Sequence, residues 1–119
     1  MYGNSSYESK GRRLPWIDLG EVRKAVFELL EEDRIDIPWG HIQAEGHDVT
    51  EEEIRTTLEK GPFELHEDVD GRYEATFSER EFPLAVLVVF ELWEADALRR
   101  IKVLTGYHVP KPWGRALGR

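Results

Sequence analysis

The sequence predicts an α+β domain in which two N-terminal helices pack on a four-stranded antiparallel sheet. In the first half of the chain, apolar residues recur every three to four positions, as on one face of a helix. After Pro62 the period falls to two, which is typical of strands with one buried face. The short connections between these strands favour antiparallel pairing. Helices on one face of such a sheet give a two-layer architecture.

The first helix is predicted to begin after Asp18 and to run to about Asp33. Asp18 and Glu21 have the spacing of a capping box, and Ile17 and Val22 have that of a hydrophobic staple. The apolar positions that follow mark one face of the helix: Leu19, Val22, Val26, Leu29 and Leu30. A Pro-Trp-Gly sequence at 38–40 is expected to end this part of the chain as a turn.

A second helix is predicted from Thr50 to the Gly61-Pro62 stop. Thr50 and Glu53 form another capping box, and Glu51 and Glu52 place negative charge in the first turn, where the helix dipole favours it. The segment 40–48 between the helices is compatible with a short helix and with an irregular turn.

Four strands are predicted in the second half of the chain, over residues 63–66, 72–77, 84–90 and 100–107. Asp70-Gly71 between the first two is a strong hairpin signal. The run 84–90 is continuously apolar, which indicates a central strand that is covered on both faces. We expect the helices to cover the face formed by Phe63, Leu65, Tyr73, Ala75, Phe77, Ile101 and Val103. The open face then carries Glu64, His66, Arg72, Glu74, Arg100 and Lys102, and a site is expected there.

The length of 119 residues fits one domain. We predict a flexible arm over residues 1–14, the α+β domain over 15–109 and a basic irregular tail over 110–119. The chain has no cysteine, which excludes disulfides, thiolate nucleophiles and Cys-built metal sites. No apolar run is long enough for a membrane helix and the first residues are polar, so we expect a cytoplasmic protein without membrane contact.

The net charge of −8 is unevenly distributed. Residues 28–81 contain 18 carboxylates and 5 basic residues, whereas residues 99–119 contain 6 basic residues and no acidic one. Two interpretations remain open: a solvated, solubilising surface, or a dipolar molecule whose basic end contacts phosphate or an acidic partner. The overall acidity disfavours a dedicated non-specific nucleic-acid binder.

Several short motifs point to a known group of proteins. They are Val22-Arg23-Lys24, Ile35-Asp36-Ile37, His41, the run from His47 to Ile54, Asp70-Gly71-Arg72-Tyr73, and the run from Val103 to Tyr107. With them the chain resembles the bacterial domain of unknown function 4258, a relative of the RelE and BrnT toxin superfamily, over about Val22 to His108. The resemblance implies a RelE-like two-layer fold. Many relatives in that superfamily are ribonucleases that are paired with an antitoxin.

Candidate site residues follow from the chemistry of RNA cleavage, which needs an acid, a base and cations for the developing charge on phosphate. We assign His41, Arg72 and Tyr107 as candidate catalytic residues. Candidate nucleic-acid or partner-binding residues are His66, Arg100, Lys102, His108 and Trp113. Structural roles are the alternative: cross-strand ion pairs of Glu74 with Arg100 or Lys102, a cap or packing role for His41, and Trp113 folded back on the sheet. No metal and no cofactor is predicted.

Three functions remain open at this point. The leading one is a protein-binding or regulatory module, whose partner is a cognate antitoxin or a second copy of the chain. It is favoured by the acidity and by Gln43, Glu45 and His47, which stand where the resembling family tends to have arginines. The first alternative is an RNA-binding, mRNA interferase-like ribonuclease of the toxin-antitoxin type. The second is an antitoxin-like or immunity-like protein that neutralises a basic partner.

Overall fold

Three α-helices and six strands are present in the residues that the computed structural model describes, 11–79 and 83–110. The helices are α1 (Leu19–Glu31), α2 (Trp39–Ala44) and α3 (Glu51–Lys60). The strands are β1 (Arg12–Arg13), β2 (Ile35–Asp36), β3 (Phe63–Leu65), β4 (Arg72–Phe77), β5 (Leu84–Ala95) and β6 (Leu98–Pro110), with a short 3-10 helix at His66–Asp68. The predicted α+β class is confirmed.

The strands form one mixed sheet in the order β2-β6-β5-β4-β3, and β1 pairs with β5 beyond the end of β4. All pairings are antiparallel except that of β2 with β6. The predicted layout of two helices on four antiparallel strands is therefore wrong in detail. The two additional strands have two residues each, which is too short for an alternating pattern to reveal them. The additional helix α2 occupies the first half of segment 40–48, for which the sequence left a short helix and an irregular turn open.

The helices bury their apolar stripes against one face of the sheet. Val22 and Val26 of α1 and Ile54 and Leu58 of α3 have no exposed surface. The strands contribute the other half of this core, which includes Tyr73, Ala75, Val88, Phe90, Leu92, Ile101 and Val103. Strand β5 lies in the middle of the sheet, and Ala85 and Val89 on its other face are buried too. The predicted central position of this strand is confirmed, but the described helices lie on one face only, and Leu87 on the other face is partly exposed.

The start of α1 follows the predicted cap. The Asp18 carboxylate accepts hydrogen bonds from the backbone N–H groups of Gly20 and Glu21. Just before it, the buried Tyr73 hydroxyl donates to the carbonyl of Trp16 at 2.8 Å, which ties this segment to β4. Burial raises the pKa of Tyr73 to about 12, because the phenolate would lose its hydration.

Helix α3 begins with a complete capping box. The Thr50 hydroxyl accepts from the Glu53 N–H at 3.1 Å, and the Glu53 carboxylate accepts from the Thr50 N–H at 2.8 Å.

Replacing Thr50 with alanine is expected to lower the free energy of unfolding by about 1 kcal/mol, because one N–H of the first turn loses its acceptor. Thermal unfolding followed by circular dichroism should show a Tm lower by about 3–5 °C. Thr56→Ala on the same helix is the control, and its Tm should not fall. An unchanged Tm for Thr50→Ala would show that water replaces the cap at no cost.

Two tight turns set the register of the sheet. Strands β5 and β6 are joined by Asp96 and Ala97, both with positive φ, as in a two-residue type I′ hairpin. The predicted Asp70-Gly71 turn is also present: the Arg72 N–H donates to the Val69 carbonyl, and Gly71 has a φ of 86°. A Cβ at Gly71 would lie 2.8 Å from the Leu14 carbonyl oxygen. Glycine is therefore required both by the positive φ and by this close approach.

The ends of the predicted domain are only partly within the described residues. In the predicted arm, Arg12–Arg13 forms β1 and Leu14 is buried in the core. Residues 1–10 and the predicted tail from Lys111 onwards lie outside the described residues. Among the helices that are described, none has the length and apolarity needed to cross a membrane.

Candidate functional site

The open face of the sheet carries a charge cluster centred on Glu91, which we call the Glu91 cluster; its other members are Arg13, Arg72, Trp93 and Lys102. Glu91 stands opposite Arg72 on β4 and opposite Lys102 on β6, while Arg13 on β1 stands opposite Trp93. The Glu91 side chain is only 5% exposed, although none of the helices in the described residues covers this face. The strand register alone therefore brings these side chains together.

Three donors contact the Glu91 carboxylate, and both of its oxygens accept. Its Oε2 atom accepts from Arg72 Nε at 2.9 Å and from Arg13 Nη1 at 3.4 Å, and its Oε1 atom accepts from the Trp93 indole at 2.8 Å. Burial works to raise the pKa of Glu91, but the bonds from Trp93 and Arg72 and the charge of Arg13 outweigh it and hold the pKa below its ordinary value. The Lys102 ammonium lies 4.3 Å from the Trp93 ring centroid, within cation–π range.

Arg100, another predicted cation, is held at the neighbouring edge of the sheet. Its Nε and Nη2 atoms donate to the two Asp36 oxygens at 2.8 and 2.7 Å, a bidentate pair between β6 and β2. The bond from Arg100 lowers the pKa of Asp36. Because β5 separates β4 from β6, the expected ion pair of Glu74 with Arg100 or Lys102 does not form.

Each predicted histidine contacts at least one carboxylate. His66 Nδ1 lies 2.8 Å from Glu74 Oε2. His41 is more than half exposed on α2, 3.3 Å from Glu45, and does not pack between the helices and the sheet. The same Glu45 lies 3.3 Å from His47, whose ring stacks on Tyr107 with centroids 5.1 Å apart. Glu45 and His47 were not predicted as site residues.

His108, at the end of β6, lies between two carboxylates. Its Nδ1 is 3.2 Å from Asp48, and its Nε2 is 3.1 Å from Glu53. Burial opposes ionisation of Glu53, but the bonds from the Thr50 backbone and from His108 leave the pKa of Glu53 lowered. Glu53 therefore serves both the helix cap and the histidine.

The three predicted catalytic residues do not converge. Arg72 lies opposite Glu91 and Tyr107 opposite Leu87, on the two sides of β5. Four residues along a strand span about 13 Å, and the two outer strands are about 9.5 Å apart. His41 and Tyr107 instead share the neighbourhood of Glu45 and His47. Trp113 lies outside the described residues.

A cleft of about 620 Å³ opens between α3 and the end of the sheet where β5 begins and β6 ends. We call it the acidic cleft. Its described lining consists of Glu52, Glu53, Thr56 and Thr57 from α3, Phe77, Ser78 and Glu79 at the end of β4, Pro83 just before β5, Leu84 and Val86 of β5, and His108. Three carboxylates and no lysine or arginine are in this set.

The cleft has an apolar base below an acidic rim. Val86 and Thr57 are buried in its floor, whereas Leu84 is 44% exposed at its mouth. The Ser78 hydroxyl donates to the Leu84 carbonyl at 2.9 Å and fixes the wall formed by the two strand ends. Of the residues that line this cleft, only His108 was a predicted site residue. The dense carboxylates of α3 were the available signal, but the strand ends that complete the cleft come from distant positions.

No group of three or more histidine and carboxylate side chains within residues 11–79 and 83–110 is arranged to hold a metal ion. Comparisons of the chain with protein-family models, with curated proteins and with solved structures found no match. The proposed function therefore rests on the side chains and their geometry.

Proposed function

We propose that the chain is a protein-binding module and that the acidic cleft holds a positively charged segment of its partner. The observation that carries this proposal is the composition of the cleft: an apolar floor beneath Glu52, Glu53 and Glu79, with no lysine or arginine among the described residues that line it. Such a cleft favours a ligand with one apolar anchor and flanking positive charges.

The pairing of the basic residues on the open face supports a binding role over RNA cleavage. Arg72 is bonded to Glu91, Arg100 is bonded to Asp36, and Lys102 lies over Trp93. A phosphate would have to displace a carboxylate from Arg72 or Arg100. The resemblance to the RelE and BrnT superfamily, whose toxins are held by partner proteins, supports the same proposal, as does the antitoxin-like interpretation with its basic partner.

Charge reversal in the acidic cleft tests the proposal. A tagged Glu52→Lys, Glu79→Lys variant is compared with the wild type for proteins captured from a lysate of the source cells. We expect a partner to be captured by the wild type and its recovery to fall at least about tenfold in the variant.

The matched control is Glu51→Lys, Glu59→Lys, which makes the same charge change on α3 outside the cleft and should retain the partner. The proposal would be contradicted if the two variants recovered the partner equally. It would also be contradicted if no captured protein differed in recovery between them. Circular dichroism of both variants confirms that they are folded.

A ribonuclease remains the second proposal, because His41 and Tyr107 share the neighbourhood of Glu45 and His47. Expression of the chain alone in a bacterial host separates the two functions. A binding module leaves growth unchanged, whereas a ribonuclease arrests it. Arrest that is relieved by His41→Ala, in a variant of unchanged stability, would make RNA cleavage the better account.

A further inference from the structure

We propose that the acidic cleft binds the chain's own C-terminal segment, residues 111–119, and that this segment competes there with a partner. The competition rests on the proposed function; the binding of the segment is tested separately. Three features of the molecule lead to this inference: where the segment begins, how far it can reach and what it is made of.

The segment starts at the mouth of the cleft. Pro110, the last residue of β6, is paired with Leu84, which lines the cleft, and His108 just before it lines the cleft as well. Nine residues span at most about 30 Å, and Trp113 is within about 10 Å of Pro110. A short tether of this kind gives an effective concentration in the millimolar range, so that even a weak contact is populated.

The composition of the segment complements that of the cleft. Its sequence is Lys-Pro-Trp-Gly-Arg-Ala-Leu-Gly-Arg, with three basic side chains and no acidic side chain. The cleft offers the carboxylates of Glu52, Glu53 and Glu79. The indole of Trp113 is an apolar group that can pack against the floor formed by Val86 and Phe77. Aromatic anchors with flanking cations are typical of peptide contacts.

Cysteine pairs in the full chain can test the contact, because the protein has no cysteine of its own. Thr56→Cys lies in the cleft, and Gly114→Cys lies in the segment. The control pair combines Gly114→Cys with Thr76→Cys, which lies on β4 near the same end of the sheet but outside the cleft. A disulfide needs the two Cα atoms within about 7 Å, so its rate of formation reports proximity.

We expect the cleft pair to oxidise intramolecularly at least about tenfold faster than the control pair. Raising the salt concentration, or adding Glu52→Lys and Glu79→Lys, should slow it several-fold because the contact is electrostatic. Equal rates for the two pairs would overturn the inference. So would a disulfide-linked dimer as the main product, which would assign the cleft to the segment of a second copy.

The two proposals fail in different ways. If the cleft pair does not oxidise faster but a partner is still lost on charge reversal, only the inference about the C-terminal segment is wrong. If the pair oxidises rapidly and no partner depends on the cleft, the protein-binding function is wrong and the cleft serves the chain's own segment alone.

Discussion

Replacing Glu91 with alanine is expected to lower the free energy of unfolding by about 2–3 kcal/mol, because Arg13, Arg72 and the Trp93 indole lose their common acceptor on the sheet. Removing one partner of a buried ion pair costs more than this, but both arginines are about one-third exposed and recover part of their hydration. Urea unfolding at neutral pH measures the difference. The control is Glu94→Ala on the same strand, whose more exposed pairs with Arg12 and Arg99 contribute below about 1 kcal/mol.

The Glu91 carboxylate also makes the free energy of unfolding depend on pH, in a direction that follows from its lowered pKa. The folded-state pKa of Glu91 lies below its ordinary value of 4.5, so the native protein binds fewer protons than the unfolded chain as the pH falls past 4.5. The stabilisation is complete above that pH and is lost as the pH falls through the folded pKa. The unfolding free energy of Glu91→Gln should therefore fall less steeply below pH 4.5 than that of the wild type. Parallel curves would show that Glu91 is not the group that titrates.

This cluster also affects how a test of Arg72 is interpreted. Arg72→Ala removes a ligand of Glu91, so it is expected to destabilise the fold whether or not Arg72 has a further role. Loss of an activity in that variant would carry no information about catalysis. A variant whose unfolding free energy is unchanged, such as one at the exposed His41, is the more informative choice.

Gly61→Ala is expected to destabilise the protein by about 2–3 kcal/mol for a purely steric reason. A Cβ at this position would lie 2.6 Å from the Thr76 carbonyl oxygen and 2.8 Å from that of Thr57. Both are backbone atoms, so α3 and β4 would have to move apart. The φ of −79° at Gly61 is ordinary for any residue, and no torsional strain contributes.

A second glycine, which has no close neighbours, is expected to show the opposite effect on stability when it is replaced with alanine. Gly40 lies in α2 and has no atom within 4 Å of an added Cβ, so Gly40→Ala should be neutral or stabilising by up to about 1 kcal/mol through helix propensity. Urea denaturation of both variants measures the pair. If Gly61→Ala unfolds at the same urea concentration as the wild type, the close approach of α3 to β4 is not a constraint on the fold.

The elements that the sequence predicted well are those with strong local signals. The cap at Asp18, the capping box at Thr50 and the apolar run of β5 depend on neighbouring residues, and all are present. Strands β1 and β2 were not predicted, because their partners in β5 and β6 are about 80 and 66 residues away. A strand of two residues is also too short to show alternation. Helix α2 begins at Trp39, immediately after Pro38 and inside the Pro-Trp-Gly sequence that was predicted to be a turn.

The candidate site was less predictable than the fold. Placing Arg72, Arg100 and Lys102 on the open face required only alternation along a strand. Their partners could not be foreseen, because they depend on which strand lies between β4 and β6. Glu91 was one usable signal: a carboxylate directly after a seven-residue apolar run has to find a counter-charge if the strand is buried. The acidic cleft needs three segments that are distant in sequence and could be recognised only in three dimensions.

The two-residue connection at Asp96 and Ala97 has a kinetic consequence. It joins strands that share twelve paired positions, so this hairpin can form with very little loss of loop entropy. The pairings of β1 and β2, by contrast, close loops of about 80 and 66 residues. We therefore expect the long hairpin to be an early nucleus and the N-terminal strand to join late, so that substitutions near Asp96 change the folding rate and those in β1 change mainly the unfolding rate.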